Sequence, residues 1–389
     1  KSMKKLYMDY AASAEPNSSS IHEFGMLAKK KLEYARAEVA GILSARKTEV
    51  IFTSGGTEGN NLAIQGVIFA NQGKKDLPHI VTTNIEHPSV LETCKLLEKR
   101  KLAELTIVAV EVNGIVDPRK IKKAIKPHTV LVSVIYANNE IGTIQPIREI
   151  AKEIRHHRKN NTGSSNVVLH TDAVQAVNYL DLNVEKLGVD LLTLSGSKIK
   201  GAGRPARNAS SIASAGGVGV LYKRSGVNIE NIFGGGDQEM GLRPGTENLA
   251  EILKFSSALK KMENIKEKES KRLTILRDYF LKKILKLGCI INGDAQNRLP
   301  NNVNVTFPKI LSDLLVIELS AHGVMTSSKS ACKSSSSAGS YVIKALRPDA
   351  DPEIGGVRFS LGNDTKKENI DYVLKALIHI LNKLKKWYN

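Results

Sequence analysis

The stretch VIFTSGGTEGNN (Val50–Asn61) indicates the fold, because a short apolar run passes through a glycine pair into helical periodicity. An apolar run without polar alternation is typical of a strand buried on both faces. Glycines let backbone N–H groups approach an anion closely, and a helix that begins at Thr57 adds partial positive charge there. The stretch therefore predicts either a phosphate site or an ordinary tight strand–helix turn, and alone it favours neither.

The chain on both sides of this stretch repeats the alternation of strand and helix. Helical periodicity covers Thr57–Ala70 and Ile147–Lys159, for example. Strands separated by helices predict an α/β layer fold with a mostly parallel sheet. The candidate strands that follow the first are His79–Val81, Thr106–Val110, Val130–Val134, Val167–His170, Leu191–Leu194 and Gly219–Tyr222.

After Asn248 the composition changes, and a smaller α+β domain is expected. A long Lys/Glu/Leu helix and two short strands precede a closing amphipathic helix. We expect a large domain over 18–253, with 1–17 and 254–389 forming the small one. The Ser/Ala/Gly-rich segments 202–216 and 326–340 read as flexible loops. The elements behind this prediction are the helices Ala250–Lys286 and Lys367–Trp387 and the strands Cys289–Ile291 and Asn302–Phe307.

Composition excludes several classes of protein. The 389 residues contain 57 Lys and Arg against 39 Asp and Glu, a net charge of +18. The lysines are scattered along amphipathic helices, and eight Phe with one Trp offer little for base stacking, so nucleic acid is not expected as a ligand. No apolar run approaches the ~20 residues that cross a bilayer.

The cysteines and the first ten residues bear on location. The three cysteines share no metal-ligand spacing, which argues against a disulfide scaffold or a zinc module, and no metal is expected. Residues 1–10 lack the order of a secretory signal. We therefore expect a cytoplasmic protein, with an organellar matrix left open.

Two further segments carry chemistry. In VVLHTDAVQ (167–175) a strand delivers Asp172 and Gln175 to the sheet edge where ligands bind in α/β folds; a helix N-cap is the alternative for Asp172. In LLTLSGSK (191–198) a lysine ends a buried strand, which suits Schiff-base chemistry better than a snorkelling surface lysine. A phosphate cradle, an aspartate and a lysine together predict pyridoxal 5'-phosphate (PLP).

The third cysteine, Cys332, lies in SSKSACKS (327–334), where two flanking lysines favour the thiolate. A Ser-rich loop would let that thiolate travel between a buried site and an external acceptor. An unremarkable loop thiol is the alternative. Cys94 and Cys289 lie in apolar contexts and are expected to be packing residues.

From Tyr7 to Gly362 the chain resembles the PLP-dependent cysteine desulfurases of the NifS/IscS type, which have the class V aminotransferase fold, a type I PLP-dependent transferase fold. The motifs are specific in combination. They are SGGTEGNNLAI (54–64), EHPSVLET (86–93), NNEIGTIQPI (138–147), HTDAVQAV (170–177), RPGTEN (243–248), NGDAQNRLPNNVNVTF (292–307) and SSKSAC (327–332).

The resemblance implies a role for each matching residue. Lys198 corresponds to the Schiff-base lysine and Cys332 to the persulfide carrier. Arg358 corresponds to the clamp on the substrate carboxylate. Asp172 corresponds to the residue that pairs with the pyridine nitrogen, and Gln175 to the one that bonds the ring hydroxyl. His87 corresponds to the imidazole that stacks on the ring and transfers protons, and Asn139 to a side chain near the ring and the substrate. The phosphate contacts correspond to Gly56, Thr57, Ser195 and the Ser197 position, and Thr246 corresponds to one made across a dimer interface.

The implied reaction converts L-cysteine to L-alanine and leaves a persulfide on Cys332. The resemblance further implies a homodimer and a sulfur acceptor such as an iron–sulfur scaffold or a tRNA-thiolation protein. A selenocysteine lyase, another class V aminotransferase-like enzyme or a catalytically weakened scaffold are the alternatives. The last of these is disfavoured because the chain retains all six matching residues, Lys198, Asp172, Gln175, His87, Arg358 and Cys332.

Three departures from the family pattern stand out. Ser197 occupies the position of a phosphate-holding histidine, which predicts weaker cofactor binding. Residues 202–216 interrupt a turn that is short in the family, and we expect a loop without function there. The alternative is that Arg204 and Arg207 bind an acidic or phosphate-bearing partner. Residues 14–20 replace a longer N-terminal stretch, which predicts a more open edge of the site.

Overall fold

The apolar runs of the first half of the chain form one sheet. The computed structural model describes residues 5–73, 76–160, 166–199, 216–328, 339–349, 351 and 354–388. Within them, seven strands pair in the order β1-β7-β6-β5-β4-β2-β3. Only β7 is antiparallel to its neighbours, β1 and β6. The strands are β1 (Val50–Thr53), β2 (His79–Thr83), β3 (Glu104–Val108), β4 (Thr129–Ser133), β5 (Val168–Asp172), β6 (Leu191–Ser195) and β7 (Gly219–Lys223).

Helices cover both faces of this sheet, which explains why its strands lack polar alternation. Alternate strand residues enter different apolar clusters: Phe52 packs with Leu32 and Ile150 on one face, and Ile51 packs with Leu62 on the other. The mostly parallel α/β layer is thereby confirmed. Helix α1 (Glu23–Leu43) precedes β1, and the helices between the strands are α2 (Gly56–Phe69), α3 (Pro88–Lys99), α4 (Pro118–Ala124), α5 (Ile147–Asn160) and α6 (Val184–Leu187).

A three-stranded antiparallel sheet follows later in the chain, in the order β10-β9-β8. It has its own apolar cluster, which includes Phe280, Val303 and Leu377. These later elements are α7 (Leu249–Ile284), β8 (Ile290–Ile291), β9 (Asn302–Thr306), α8 (Ser312–Ala321), α9 (Tyr341–Leu346), β10 (Val357–Ser360) and α10 (Lys367–Tyr388).

The long helix α7 belongs to both cores. Its first half contributes Phe255 and Met262 to the large sheet's cluster, while its second half contributes Phe280 and Ile284 to that of the small sheet. The proposed domain boundary between residues 253 and 254 falls within this helix and stays a prediction.

Two expected features fall mostly outside the described residues. The segment 202–216 is described only at its last residue, and most of 326–340, including Cys332, is not described. Among the residues that are described, no helix is both long enough and apolar enough to cross a membrane.

Candidate active site

A cavity of about 210 Å³ lies where β4, β5 and β6 end at the same edge of the large sheet. This is the edge at which ligands bind in α/β folds. Sequence reasoning placed nine of its lining residues in the site. Those nine are Gly56, Thr57, His87, Asn139, Asp172, Gln175, Ser195, Ser197 and Lys198.

The other three predicted residues lie elsewhere. Thr246 lines a second cavity together with Glu58 and Arg243. Arg358 lies in β10 and reaches the first cavity through a contact with Asn139, described below. Cys332 lies outside the described residues.

One end of the cavity is built for an anion. The helix α2 begins at Gly56, and a Cβ atom there would lie 2.9 Å from Val174 Cγ2 and 3.3 Å from Ser195 Cβ. Glycine therefore keeps this approach open. The Ser195 and Ser197 hydroxyls lie 3.0 Å apart at the same end. A helix N-terminus beside two hydroxyls suits a phosphate group.

Asp172 supplies a buried negative charge at the end of β5. One of its carboxylate oxygens accepts from the Val174 N–H at 3.0 Å and the other from Asn60 Nδ2 at 2.8 Å. Residues 174–179 form turns rather than a helix, so the N-cap alternative for Asp172 is wrong. Both bonds come from neutral donors, and the carboxylate keeps its charge available for a cationic group of a ligand.

Asn60 and Ser89 are site residues that sequence reasoning missed. Asn60 Nδ2 donates to Ser89 Oγ at 2.8 Å, and that hydroxyl lies 2.7 Å from His87 Nδ1. A chain of hydrogen bonds thus joins Asp172 to His87. The spacing carried a signal: Asn60 is four residues after Gly56, which places both on one face of α2.

His87 is the N-cap of α3, and its Nδ1 accepts from the Ser89 N–H at 3.2 Å. Burial lowers the pKa of the imidazole, and the nearby Lys198 charge lowers it further, while Asp172 opposes both. The ring is therefore neutral at physiological pH. Because Nδ1 is the acceptor, the neutral ring carries its proton on Nε2.

Lys198 lies at the mouth of the cavity rather than at the buried end of a strand. β6 ends at Ser195, and a 3₁₀ turn over Gly196–Lys198 carries the lysine into an exposed position. Asn178 Nδ2 donates to the Lys198 carbonyl at 2.6 Å and fixes this turn. The expectation of a lysine within the strand's buried end is thereby corrected.

Arg358 and Asn139 form the side of the site that faces the small sheet. Arg358 Nη1 donates to the Asn139 carbonyl at 2.7 Å. Arg358 Nε and Asn139 Oδ1 are buried, and neither has a hydrogen-bond partner among the described residues. Burial lowers the pKa of the guanidinium against the opposing effect of Glu140. Since buried polar atoms are normally paired, this donor and this acceptor indicate room for a polar ligand.

The two cysteines that the structure describes are both buried. Burial raises the pKa of the Cys289 thiol to about 11 and raises that of Cys94 as well. Neither thiol is a ready nucleophile, which agrees with their expected packing role.

Known proteins match the chain over almost its whole length. The model of the family "Aminotransferase class-V" matches residues 1–373. Cysteine desulfurase IscS of Dictyoglomus turgidum is 40% identical, over 98% of this chain and 96% of its own. A solved NifS-like protein is 31% identical with a TM-score of 0.81, over 94% of this chain and 91% of its own. The solved structure of SspA in complex with cysteine is 29% identical with a TM-score of 0.71, over 89% of this chain and 90% of its own.

These matches agree with the type I PLP-dependent transferase fold that the resemblance implied. The chain therefore belongs to the class V aminotransferase family and, within that family, to the cysteine desulfurases.

Proposed function

We propose that this protein is a PLP-dependent cysteine desulfurase that releases L-alanine from L-cysteine. One observation supports this most strongly: a single cavity gathers an anion-binding helix terminus, a buried aspartate, a neutral histidine and a lysine. The solved structure of SspA in complex with cysteine supports the choice of substrate.

The residues present fit PLP. The α2 terminus at Gly56 and Thr57, with the Ser195 hydroxyl, would hold the phosphate. Asp172 would face the pyridine nitrogen, and Gln175 the ring hydroxyl. When bound through a lysine amine, PLP draws electrons away from the α-carbon of an amino acid.

The protein's own groups then position the substrate and hold protons. Arg358 would bind the substrate carboxylate, because its planar fork matches two oxygens and its Nε is unpaired among the described residues. Asn139 Oδ1 would accept from the substrate. His87 can donate from Nε2 and is held in place at Nδ1 by Ser89.

The sulfur chemistry belongs to Cys332 in this proposal. Its thiolate would attack the sulfur of the bound substrate, and the carbon–sulfur bond would break with its electron pair going to the substrate carbon. Protonation of that carbon gives the methyl group of alanine, and the sulfur remains on Cys332 as a persulfide. We further infer transfer to an iron–sulfur scaffold or a tRNA-thiolation protein, a homodimer in which Thr246 serves the partner's site, and a cytoplasmic location. The acceptor and the homodimer are inferred from the sequence motifs around Cys332 and Thr246, and the location from cysteines that show no disulfide pattern.

The visible absorption spectrum tests the proposal. We expect the purified protein, supplied with PLP, to show the violet band of bound cofactor and to respond to L-cysteine with release of one alanine per cysteine. L-serine should perturb the spectrum without yielding alanine. A protein that stays colourless with PLP contradicts the cofactor assignment, and a marked preference for L-selenocysteine over L-cysteine contradicts the substrate.

Replacing Ser197 with histidine should tighten PLP binding about tenfold, the effect of one hydrogen bond to a charged group at roughly 1.5 kcal/mol. Ser197 is exposed beside the Ser195 hydroxyl, so an imidazole there can point to the same anion end. The dissociation constants of wild type, Ser197→His and Ser197→Ala decide the matter. Equal constants for the first two would refute the prediction that this departure weakens the cofactor site.

A further inference from the structure

A left-handed turn lies behind the anion end of the active site. Glu239, Met240 and Gly241 follow one another with φ of 48°, 60° and 74°. Side chains other than glycine rarely adopt this conformation, and two in succession persist only where surrounding contacts impose it.

The contacts that impose it are centred on Arg36. Its Nη1 and Nη2 each donate to one carboxylate oxygen of Glu239, both at 2.7 Å. Nη1 also donates to the Val50 carbonyl at 2.8 Å, and the guanidinium lies 5.0 Å from the centre of the Phe52 ring. The Arg36 and Glu239 side chains are only 8% and 1% exposed.

Glu239 attaches this turn to the edge strand of the large sheet. Phe52 in β1 donates its backbone N–H to Glu239 Oε2 at 2.7 Å. Because β1 is the outermost strand of the sheet in the part of the chain that the structure describes, no strand there lies beside this N–H. The carboxylate therefore takes the place of a strand at the point where β1 leads towards the cavity.

A second attachment lies on the other side of the anion-binding turn, by which we mean residues 54–57 between β1 and the body of α2. Arg243 Nε donates to Glu58 Oε1 at 3.0 Å, and Glu58 Oε2 accepts the Ser54 N–H at 2.8 Å. Gln238 Oε1 accepts the Gly245 N–H at 3.0 Å, which joins the left-handed turn to the segment that contains Arg243. Residues 238–245 thus contact the chain on both sides of the anion-binding turn. Glu239 bonds Phe52 before the turn, and Arg243 bonds Glu58 after it, while Glu58 in turn accepts the Ser54 N–H within it.

We propose that Arg36 and Glu239 are positioning residues for the cofactor phosphate, acting through the backbone of residues 52–58. The inference rests on the proposed function, since it takes PLP as the ligand at Gly56 and Thr57. The buried ion pair of Arg36 and Glu239 stabilises the left-handed turn, and the turn fixes the position of Arg243. The two attachments, at Phe52 and at Glu58, together fix the N-terminus of α2, which receives the anion. A loosened terminus would bind phosphate more weakly even with every lining residue present.

The test compares PLP dissociation constants of the full-length apoprotein, measured by equilibrium dialysis. Glu239→Gln should bind PLP at least tenfold more weakly than wild type. The control is Asp190→Asn, which also removes a buried carboxylate paired with an arginine, Arg158, but at the opposite, amino end of β6. Both variants should unfold at lower temperature, and only the first should lose affinity. An unchanged constant in Glu239→Gln, or an equal loss in Asp190→Asn, overturns the proposal.

Arg243→Gln keeps the proposal testable if Glu239→Gln does not fold. Arg243 is 26% exposed, and its loss should weaken PLP binding several-fold without a large change in stability. Arg224→Gln is its match, because Arg224 is 29% exposed and paired with Glu185. Equal constants for the two arginine variants overturn the proposal. A wild-type protein that does not bind PLP refutes the proposed function instead, so the two failures are distinguishable.

Discussion

Asp172→Asn should lower the rate of L-cysteine desulfuration by about 10³-fold, or ~4 kcal/mol of transition-state stabilisation. Asp172 is 3% exposed, and its bonds to Val174 and Asn60 come from uncharged donors. Asparagine has the same size and shape as aspartate, but it lacks the negative charge and can accept only one of these two hydrogen bonds. In the proposed function that charge keeps the pyridine nitrogen protonated, which makes the cofactor an effective electron acceptor.

The Asp172→Asn variant tests the effect of the negative charge on catalysis separately from its effect on cofactor binding. An asparagine oxygen can still accept one of the two hydrogen bonds, so PLP should remain bound with a dissociation constant within about tenfold of wild type. The measurement is kcat for alanine release at saturating PLP, alongside the absorption spectrum. Asp190→Asn controls for the loss of a buried aspartate outside the cavity. Full activity in Asp172→Asn would contradict the assignment of this residue.

The strands were predictable because a sheet covered on both faces leaves a strong pattern. The candidate strand Val50–Phe52 corresponds to β1, and Val130–Val134 differs from β4 by one residue at each end. The candidate Thr106–Val110 is displaced by two residues from β3, which lies at the sheet's edge. An edge strand is more exposed than a central one, and this weakens the continuous apolar run from which the bounds of a buried strand are predicted.

The site was predictable where motifs lie at strand ends, and less so where distant segments meet. Asp172 and Ser195 end neighbouring strands, so their proximity follows from the sheet. The contact between Arg358 and Asn139 joins residues 219 positions apart, and only the packing of the small sheet brings them together. The pairing of Arg36 with Glu239 likewise leaves no local signal, because it depends on the edge of β1, whose Phe52 N–H donates to Glu239.

Glu86→Gln should remove a large pH dependence of stability. Glu86 is fully buried; its Oε1 accepts from Thr83 Oγ1 at 2.6 Å and from the Ile135 N–H at 2.9 Å. Burial raises the pKa of this carboxyl to about 8, with a further contribution from the Asp172 charge. The acid is therefore protonated in the folded protein at neutral pH, directly before His87 in the chain.

The direction in which pH changes the free energy of unfolding follows from the number of protons bound by the folded and the unfolded state. Between the unfolded pKa of about 4.5 and the folded pKa of about 8, the folded state binds one proton more than the unfolded state. The free energy of unfolding therefore falls as pH rises through this window, by about 1.4 kcal/mol per pH unit and roughly 5 kcal/mol in total. Glutamine cannot ionise and keeps an oxygen for Thr83 and Ile135, so it should abolish this contribution.

Urea unfolding of wild type and Glu86→Gln at intervals from pH 5.5 to 8.5 measures the effect. The difference between the two free energies cancels the other titrating groups, such as His79, whose pKa burial lowers to about 4. We expect the variant to gain stability relative to wild type steadily across this range and to level off above pH 8. A difference that stays constant with pH would mean that Glu86 is ionised in the folded protein. A second negative charge would then lie close to Asp172, and the chain of bonds from Asp172 to His87 would need a different electrostatic account.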